Sequence, residues 1–298
     1  MILPRPDLNL LGINYRRIPV MAIGRDIYHD TRLIINKLNA LYPPSAEHPG
    51  LTSTDPEQLA IQQLLSVWIN DGGIFNRCAQ LIPPSAPMLK DPKFTKDRAQ
   101  MSGRSWSAAA LAAARPEALV ELRNAFAFLE NTLLSDGRKW LVKGQDGPTQ
   151  VDLEAVWAMQ WLFTLPGSLP EDVVSVKLFP KTYALINRFM DVVNAARKKN
   201  GKIQKVKGDE AAERIYASAY AEDPVNALDN DPSGLKKGTE VLVHPTDSGV
   251  QNKDKGNLVS MDWEEIVIEV QGQSGKTCRV HAPRHGFRVV PNVEEARI

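Results

Sequence analysis

Two residue pairs near the start of the chain, Ile18-Pro19 and Asp30-Thr31, have groups that could bind a peptide-like ligand. A residue before a cis-proline can offer free backbone N–H and C=O groups to a bound peptide. A carboxylate attracts an ammonium group, whereas a hydroxyl and the N–H groups at a helix N-terminus attract a carboxylate. The residues alone leave other interpretations open: Pro19 could begin or edge a strand, and Asp30 could be an ordinary helix N-cap.

The other chemically reactive side chains form weaker patterns. Cys78 and Cys278 are 200 positions apart and match no C-x-x-C spacing, so neither a metal site nor a redox pair is indicated. Cys78 continues a helical apolar stripe and is expected to be a small buried hydrophobe. His281 and His285 are separated by Pro283, and no third ligand is near them in the sequence. We therefore predict a tight turn between two strands there and no metal site.

Two groups of residues could contribute to a pocket, but their spacing favours structural roles. Aromatic side chains at helical spacing are usually core residues, although some could line an apolar substrate pocket. An aromatic residue followed by two arginines is more typical of a strand start and of solvated charges than of a thiol activator or carboxylate clamp. The two groups are Trp68, Phe75, Trp106, Trp157 and Trp161, and Tyr15, Arg16 and Arg17.

The elements that must position Ile18 and Asp30 are a hairpin and a helix. Residues 18–23 form an apolar run, Gly24-Arg25-Asp26 interrupts it, and Ile27-Tyr28 follows. This pattern predicts two short strands joined by a tight turn. Asp30 then precedes a helix whose apolar residues recur at offsets of three and four, and two prolines end it. These apolar residues are Leu33, Ile34, Leu38 and Leu41.

Residues 45–54 form a linker rich in Pro, Ser, Thr and Gly. Beyond this linker the pattern of apolar residues changes twice. Residues 55–220 are mostly helical in periodicity, apart from a proline-rich stretch at 83–97 that is expected to be a loop. Around residues 230–234 the pattern changes to short β segments separated by Gly, Asp and Ser. Such a series of short strands is typical of a small antiparallel barrel or sandwich.

The order of helix, Ile-Pro hairpin, Asp-Thr helix, linker and helical bundle resembles the cytosolic glutathione transferases over roughly residues 1–220. Ile18-Pro19 resembles the family's cis-proline step, Asp30-Thr31 its acidic and hydroxyl pair, and Thr149-Gln150-Val151-Asp152 its capping box. The resemblance implies that Pro19 is cis and that Ile18 and Pro19 contact the cysteinyl part of glutathione. It also implies that Asp30 and Thr31 hold the γ-glutamyl end. The β-rich tail lies outside this pattern and resembles that of a group of fungal transferase-like proteins.

The resemblance and the patterns together predict an α+β multidomain protein. Residues 1–44 are expected to form a partial thioredoxin-like, glutathione-binding domain. Residues 55–222 are expected to form the all-helical, transferase-type domain, which supplies most of the pocket for a small apolar electrophile. Residues 235–292 are expected to form a small antiparallel β-barrel or sandwich, to which the sequence assigns no role. A homodimer is the assembly that the family implies.

The start of the sequence departs from the family pattern. The family begins with a strand and a helix, with a Ser, Cys or Tyr near their junction that favours the thiolate of glutathione over a thiol whose pKa is about 8.5. This sequence starts near the family's second helix, so we assign no catalytic residue and expect an exposed inner edge on the Ile18 hairpin. Conjugation or isomerisation would need the missing strand and helix, and glutathione retention should be weak. The alternative is a non-catalytic binding or scaffold protein of transferase ancestry.

The composition argues against several functional classes. With 36 basic and 35 acidic residues, the chain offers no field that would attract nucleic acid or an anionic membrane. The sequence has no run of about 18 apolar residues, and the segment after Met1 is not typical of a signal peptide. Two cysteines without a disulfide or metal spacing fit a reducing compartment. We therefore expect a cytoplasmic protein.

Overall fold

The computed structural model of the chain describes residues 2–45, 50–223 and 231–292. The chain divides into two compact units. The sheet unit comprises Met1–Leu41, Lys96–Arg104 and Gln204–Ile298, and the helical unit comprises Tyr42–Thr95 and Ser105–Ile203.

Along the chain, a short helix and a β-hairpin come first, a long series of helices follows, and five strands come last. The helices of the described residues are α1 (Pro6–Leu10), α2 (Thr31–Leu41), α3 (Pro56–Asn70), α4 (Ile74–Gln80), α5 (Pro92–Ser102), α6 (Ala108–Asn131), α7 (Gln150–Phe163), α8 (Pro180–Asn200) and α9 (Gly208–Ala217), with a 3₁₀ helix at Pro87–Lys90. The strands are β1 (Val20–Ile23), β2 (Asp26–His29), β3 (Glu240–Pro245), β4 (Asp254–Met261), β5 (Glu265–Gln271), β6 (Thr277–Pro283) and β7 (Phe287–Pro291).

The sheet unit is built on one sheet of seven strands in the order β1-β2-β6-β5-β4-β3-β7. β1 and β2 form the predicted hairpin, in which the pair Ile23 and Asp26 closes a two-residue turn. Gly24 occupies the turn with φ of 56°, a left-handed conformation that glycine adopts without steric cost. The other neighbours pair antiparallel, except that β2 runs parallel to β6.

The five strands of the tail curl strongly. β6 and β7 lie at opposite edges of the set β6-β5-β4-β3-β7, yet only residues 284–286 connect them. In a flat sheet the outer two of five strands would be about 19 Å apart or more. Four extended steps from Pro283 to Phe287 reach at most about 14 Å. The strands must therefore bend towards closure, and the expected small antiparallel barrel or sandwich stays a prediction.

The tail and the N-terminal region share one sheet, which differs from the expected division into residues 1–44, 55–222 and 235–292. Asp26, Ile27 and Tyr28 of β2 pair with Arg279, Val280 and His281 of β6. The outer edge of the hairpin and the outer edge of the tail each carry unpaired backbone groups, and pairing satisfies both. The two regions also share a hydrophobic core, to which the N-terminal region contributes Leu11, Ile13, Tyr15 and Ile27 and the tail contributes Val241, Leu258, Ile268 and Val280.

The helical unit has its own core, and its α7 begins with the predicted capping box of Thr149 and Asp152. The stretch 83–97 contains a 3₁₀ helix and the start of α5, whereas a loop was predicted. Asp91 explains the difference, because its side chain accepts the N–H of Lys93 at 2.9 Å and so caps α5. In the described part of the chain, no helix is both long and apolar enough to cross a membrane.

Candidate functional site

The Ile18–Pro19 peptide bond is cis, as predicted, and it leads directly into β1. Ile18 is 54% exposed. β1 is an edge strand: among the described residues no strand pairs with it on the side away from β2. Because Ile23 and Asp26 close the hairpin as a hydrogen-bonded pair, alternation directs the N–H and C=O groups of Val20 and Ala22 to the open side. The expected exposed inner edge is therefore present.

Asp30 and Thr31 lie where α2 begins. The Oδ1 of Asp30 accepts the N–H of Arg32 at 3.1 Å, and its backbone oxygen accepts the N–H of Ile34 at 3.0 Å. Asp30 is thus the predicted N-cap, in a left-handed conformation with φ of 69°. Its side chain is 22% exposed, and Thr31 is exposed as the first residue of the helix. The side chains predicted to bind the γ-glutamyl end therefore lie at the protein surface.

Arg16 and Arg17 are not the solvated charges that the sequence suggested. Arg16 is buried and pairs with Asp97 of α5, with 2.7 Å between Nη2 and Oδ1. Arg17 pairs with Asp247 and donates from Nη2 to the backbone oxygen of Ser248 at 2.8 Å. Its other terminal nitrogen lies 3.9 Å from Oδ2 of Asp30. Arg17 is therefore a neighbour of the candidate site, with its charge already compensated.

A buried couple lies directly before Asp30. The ring of Tyr15 stacks on His29 with 4.2 Å between centroids, and Nδ1 of His29 is 3.4 Å from Oδ2 of Asp254. The other oxygen of Asp254 accepts the N–H groups of Asn14 and Tyr15, at 2.5 and 3.0 Å. Burial lowers the pKa of His29 to about 3 and raises that of Asp254 to about 7. The couple fixes the segment that leads to the cis bond.

The two thiols of the chain and the phenol of Tyr15 are poor nucleophiles. Burial raises the pKa of the Cys78 thiol and of the Cys278 thiol to about 12, so both remain protonated at neutral pH. Burial also raises the pKa of Tyr15 well above its usual value. The predicted buried role of Cys78 is confirmed.

The helical unit has an apolar cavity of about 380 Å³ between α3, α4 and α6. Trp68, one of the aromatic residues considered above, lines this cavity and contacts Phe128 with 5.0 Å between ring centroids. Phe75 instead contacts Trp157, at 4.8 Å. The cavity is lined by Leu64, Leu65, Trp68, Ile74, Glu121, Asn124, Ala125 and Phe128.

A polar network in the sheet unit was missed by the sequence analysis. Nε2 of His281 lies 3.0 Å from Oδ1 of Asp26, and its Nδ1 faces Glu265 and Glu222 at 3.2 and 3.4 Å. Nζ of Lys37 lies 2.7 Å from Glu222. Burial disfavours the charged imidazole, but the hydrogen bonds to Asp26 and Glu265 outweigh it and raise the pKa of His281. No sequence signal joins these residues, because they lie on segments far apart in the chain.

Comparisons with known proteins address the fold. Residues 77–198 match a family described as a domain of unknown function (DUF7962). No curated protein matches the chain. The crystal structure of a GST-like protein from Pseudomonas syringae superposes with a TM-score of 0.67 over 97% of this chain and 87% of that chain, at 23% identity.

The chain has a GST-like fold. The superposition includes the β-rich tail, since it leaves out only a small part of the chain. The neighbour is bacterial, and the resemblance to fungal proteins stays a prediction. At this level of identity the GST-like fold carries no residue role from one protein to the other. The assignment of Ile18, Pro19, Asp30 and Thr31 therefore depends on their geometry in this chain.

Proposed function

We propose that this chain is a glutathione S-transferase-like protein whose sheet unit binds glutathione through Ile18, Pro19, Asp30 and Thr31. The observation that carries the proposal is an exposed Ile18 at the cis Ile18–Pro19 step, in the same unit as a partly exposed carboxylate at the start of a helix. The GST-like fold supports it. In this binding mode the cysteinyl backbone pairs with the backbone of Ile18, which is the usual way an extended peptide adds to a sheet edge.

The γ-glutamyl end is a zwitterion and needs two complementary partners. Asp30 supplies a carboxylate for the α-ammonium group through Oδ2, since Oδ1 is engaged with Arg32. Thr31 supplies a hydroxyl and the first N–H group of α2 for the α-carboxylate, where the helix dipole favours negative charge. Arg17, 3.9 Å from Oδ2 of Asp30, competes with the ammonium and is one reason to expect weak binding.

Calorimetric titration with glutathione tests this binding mode. Asp30→Asn should weaken binding about tenfold, which corresponds to the loss of about 1.4 kcal/mol from one charge-assisted contact. Asparagine also caps helices and tolerates a left-handed backbone, so the fold should not change. Thr31→Ala should weaken binding comparably, and Thr31→Ser should preserve it.

The matched control is Asp55→Asn, because Asp55 caps α3 in the helical unit by accepting the N–H of Gln58 at 2.9 Å. It should leave glutathione binding unchanged. Equal affinities of the wild-type chain, Asp30→Asn and Thr31→Ala would refute the proposed site.

Conjugation or isomerisation of a small apolar electrophile with glutathione is the activity that we propose if the family's first strand and helix are supplied. The cavity of about 380 Å³ in the helical unit has a largely apolar lining, but two of its residues, Leu64 and Phe128, belong to the face of α3 and α6 proposed below as a dimer surface, so we assign no electrophile site to it. The second candidate function is a non-catalytic binding protein. It is favoured by the burial of Cys78, Cys278 and Tyr15, because none of these side chains can reach the sulfur of a bound glutathione.

The rate at which the thiolate of glutathione displaces halide from an aryl halide distinguishes the two functions. A transferase should accelerate the reaction above the rate without protein, and Asp30→Asn should reduce that acceleration. A binding protein should bind glutathione, with the same sensitivity to Asp30→Asn, and leave the reaction at its background rate.

We also propose a homodimer, with the face formed by α3 and α6 as the surface that a second copy covers. Leu64, Val67, Val120 and Phe128 are large apolar side chains on these helices, each at least 40% exposed. Clustered exposure of this kind marks interaction surfaces. Light scattering tests this proposal: the wild-type chain should be a dimer, and Leu64→Glu should be monomeric. Cytoplasmic location and the absence of nucleic-acid and membrane partners stay predictions.

A further inference from the structure

A histidine and two glutamates of the sheet unit bring three potential metal-ligand atoms close together. The three atoms, from Glu222, Glu265 and His281, all lie within 4.8 Å of one another. His281 belongs to β6 and Glu265 begins β5, so the sheet fixes both backbones, while Glu222 lies after α9. We propose that these three residues form a binding site for Zn²⁺ or a similar divalent transition-metal ion.

The two distances from His281 to the glutamates fit a tetrahedral shell. Imidazole nitrogen and carboxylate oxygen bind Zn²⁺ at about 2.0–2.1 Å, which places neighbouring ligands of a tetrahedron about 3.3 Å apart. Nδ1 of His281 lies 3.2 Å from Oε2 of Glu265 and 3.4 Å from Oε1 of Glu222. One histidine with two carboxylates leaves a fourth position for water.

Asp26 provides an independent indication. Metal-binding histidines usually donate their second N–H to a carboxylate, which fixes the ring and the tautomer. Nε2 of His281 lies 3.0 Å from Oδ1 of Asp26, and both side chains are at most 1% exposed. With Nε2 donating, the Nδ1 lone pair of a neutral ring would face two carboxylates. Such an arrangement needs compensating positive charge, which a proton on Nδ1 and the ammonium group of Lys37 supply in the free chain and a metal ion could replace.

Lys37 is the competitor that a metal ion must displace. Its Nζ lies 2.8 and 2.7 Å from the two oxygens of Glu222 and 3.6 Å from Oε1 of Glu265. The Lys37 side chain is 21% exposed, and its flexible stem can carry the ammonium group into solvent. Metal binding then exchanges the ion for this ammonium and for the proton of His281. Affinity should therefore increase with pH.

Two further contacts keep Glu222 in position when Lys37 leaves. The hydroxyl of Tyr28 donates to Oε1 of Glu222 at 2.7 Å, and Arg279 donates to the backbone oxygen of Glu222 at 3.0 Å. The sequence suggested no metal because it paired His281 with His285. His285 is exposed in the turn between β6 and β7, and the partners of His281 come instead from positions 222 and 265.

Titration of the full chain with Co²⁺, followed by visible absorption, and with Zn²⁺, followed by calorimetry, tests the proposal. The wild-type chain should bind one equivalent, more tightly at pH 8 than at pH 6. Lys37→Met should bind at least tenfold more tightly, because the competing ammonium is gone. Glu265→Gln should bind at least tenfold more weakly. The matched control is Glu264→Gln, an exposed neighbour that should behave as wild type.

A gain of affinity in Lys37→Met cannot arise from misfolding, so this variant keeps the test decisive if Glu265→Gln is unstable. The proposal is overturned if the wild-type chain takes up no single equivalent, or if a folded Glu265→Gln binds as tightly as wild type. The outcome is independent of glutathione binding, since none of these variants changes Ile18, Pro19, Asp30 or Thr31.

Discussion

At the scale of single residues, the couple of His29 and Asp254 has two opposing effects on stability. The pKa of His29 is lowered to about 3 in the folded chain, so its contribution is present above pH 6.5 and is lost as the pH falls towards 3. The pKa of Asp254 is raised to about 7, so its contribution is complete below pH 3.8 and is lost as the pH rises towards 7. Between about pH 4 and 6.5 the two contributions change with pH in opposite directions, so their effects on the pH dependence of stability nearly cancel.

Asp254→Asn should remove this cancellation. The amide oxygen can still accept the N–H groups of Asn14 and Tyr15, while the titrating carboxyl is gone. His29 then acts alone, and the free energy of unfolding should fall by up to about 1.4 kcal/mol per unit as the pH decreases from 6.5 to 4. Urea unfolding of both proteins at several pH values measures this. Parallel pH profiles for the wild type and the variant would contradict it.

At the same scale, the cap at Asp30 could be predicted because it is a local feature, while the cis conformation of Pro19 followed from the family resemblance. The assignment of Ile18, Pro19, Asp30 and Thr31 to glutathione stays a prediction. The environment of Arg17 could not be predicted, because its partners Asp247 and Ser248 lie about 230 positions away. The burial of Arg16 and Arg17 depends on residues that are distant in the sequence, and hydrophobic periodicity cannot predict such contacts.

At the scale of elements, the open edge of β1 is the least protected part of the sheet. It has no charged residue, and Val20 and Ala22 direct backbone donors and acceptors away from β2. Natural sheets usually cover or charge such edges, because they template pairing with another chain. The edge should therefore cause concentration-dependent association.

Ala22→Lys should reduce this association, because a lysine on an edge opposes pairing while leaving the contacts with β2 intact. Light scattering over a range of protein concentrations measures the effect. Ala40→Lys is the matched control, since Ala40 is exposed on α2 of the same unit. If Ala22→Lys and Ala40→Lys associate like the wild type, pairing through the β1 edge is refuted.

Helices and strands that are bounded by recognisable turn or cap residues were mostly predicted correctly, and the others were not. The hairpin, α2 and the capping box of Thr149 and Asp152 each had turn or cap residues at the expected spacing. The start of α5 was missed because four prolines in the stretch 83–97 outweighed the cap at Asp91. α6 contains Pro116 and begins at Ala108, where the Ser107 side chain caps it.

At the scale of the whole molecule, the sequence could not show that the N-terminal hairpin and the tail share one sheet. Strand pairing between β2 and β6 joins residues more than 250 positions apart, and no local pattern encodes the partner of an edge strand. The apolar residues of the two regions meet in one hydrophobic core that is common to both. The number of domains therefore depended on a contact that periodicity cannot reveal.

This shared sheet predicts how the chain responds to loss of the tail. Deleting residues 231–298 removes β6 and the core partners of Leu11, Ile13 and Tyr15, so β1 and β2 are left as an isolated hairpin, which is marginally stable at best. Hydrogen exchange should then show amides of residues 20–29 exchanging as in an unfolded chain, while those of α6 and α7 remain protected by the core of the helical unit. Three separate domains would instead leave the protection of residues 20–29 unchanged. The hairpin that carries Ile18 and precedes Asp30 should lose glutathione binding together with its protection, even though the deletion removes none of the residues assigned to that site.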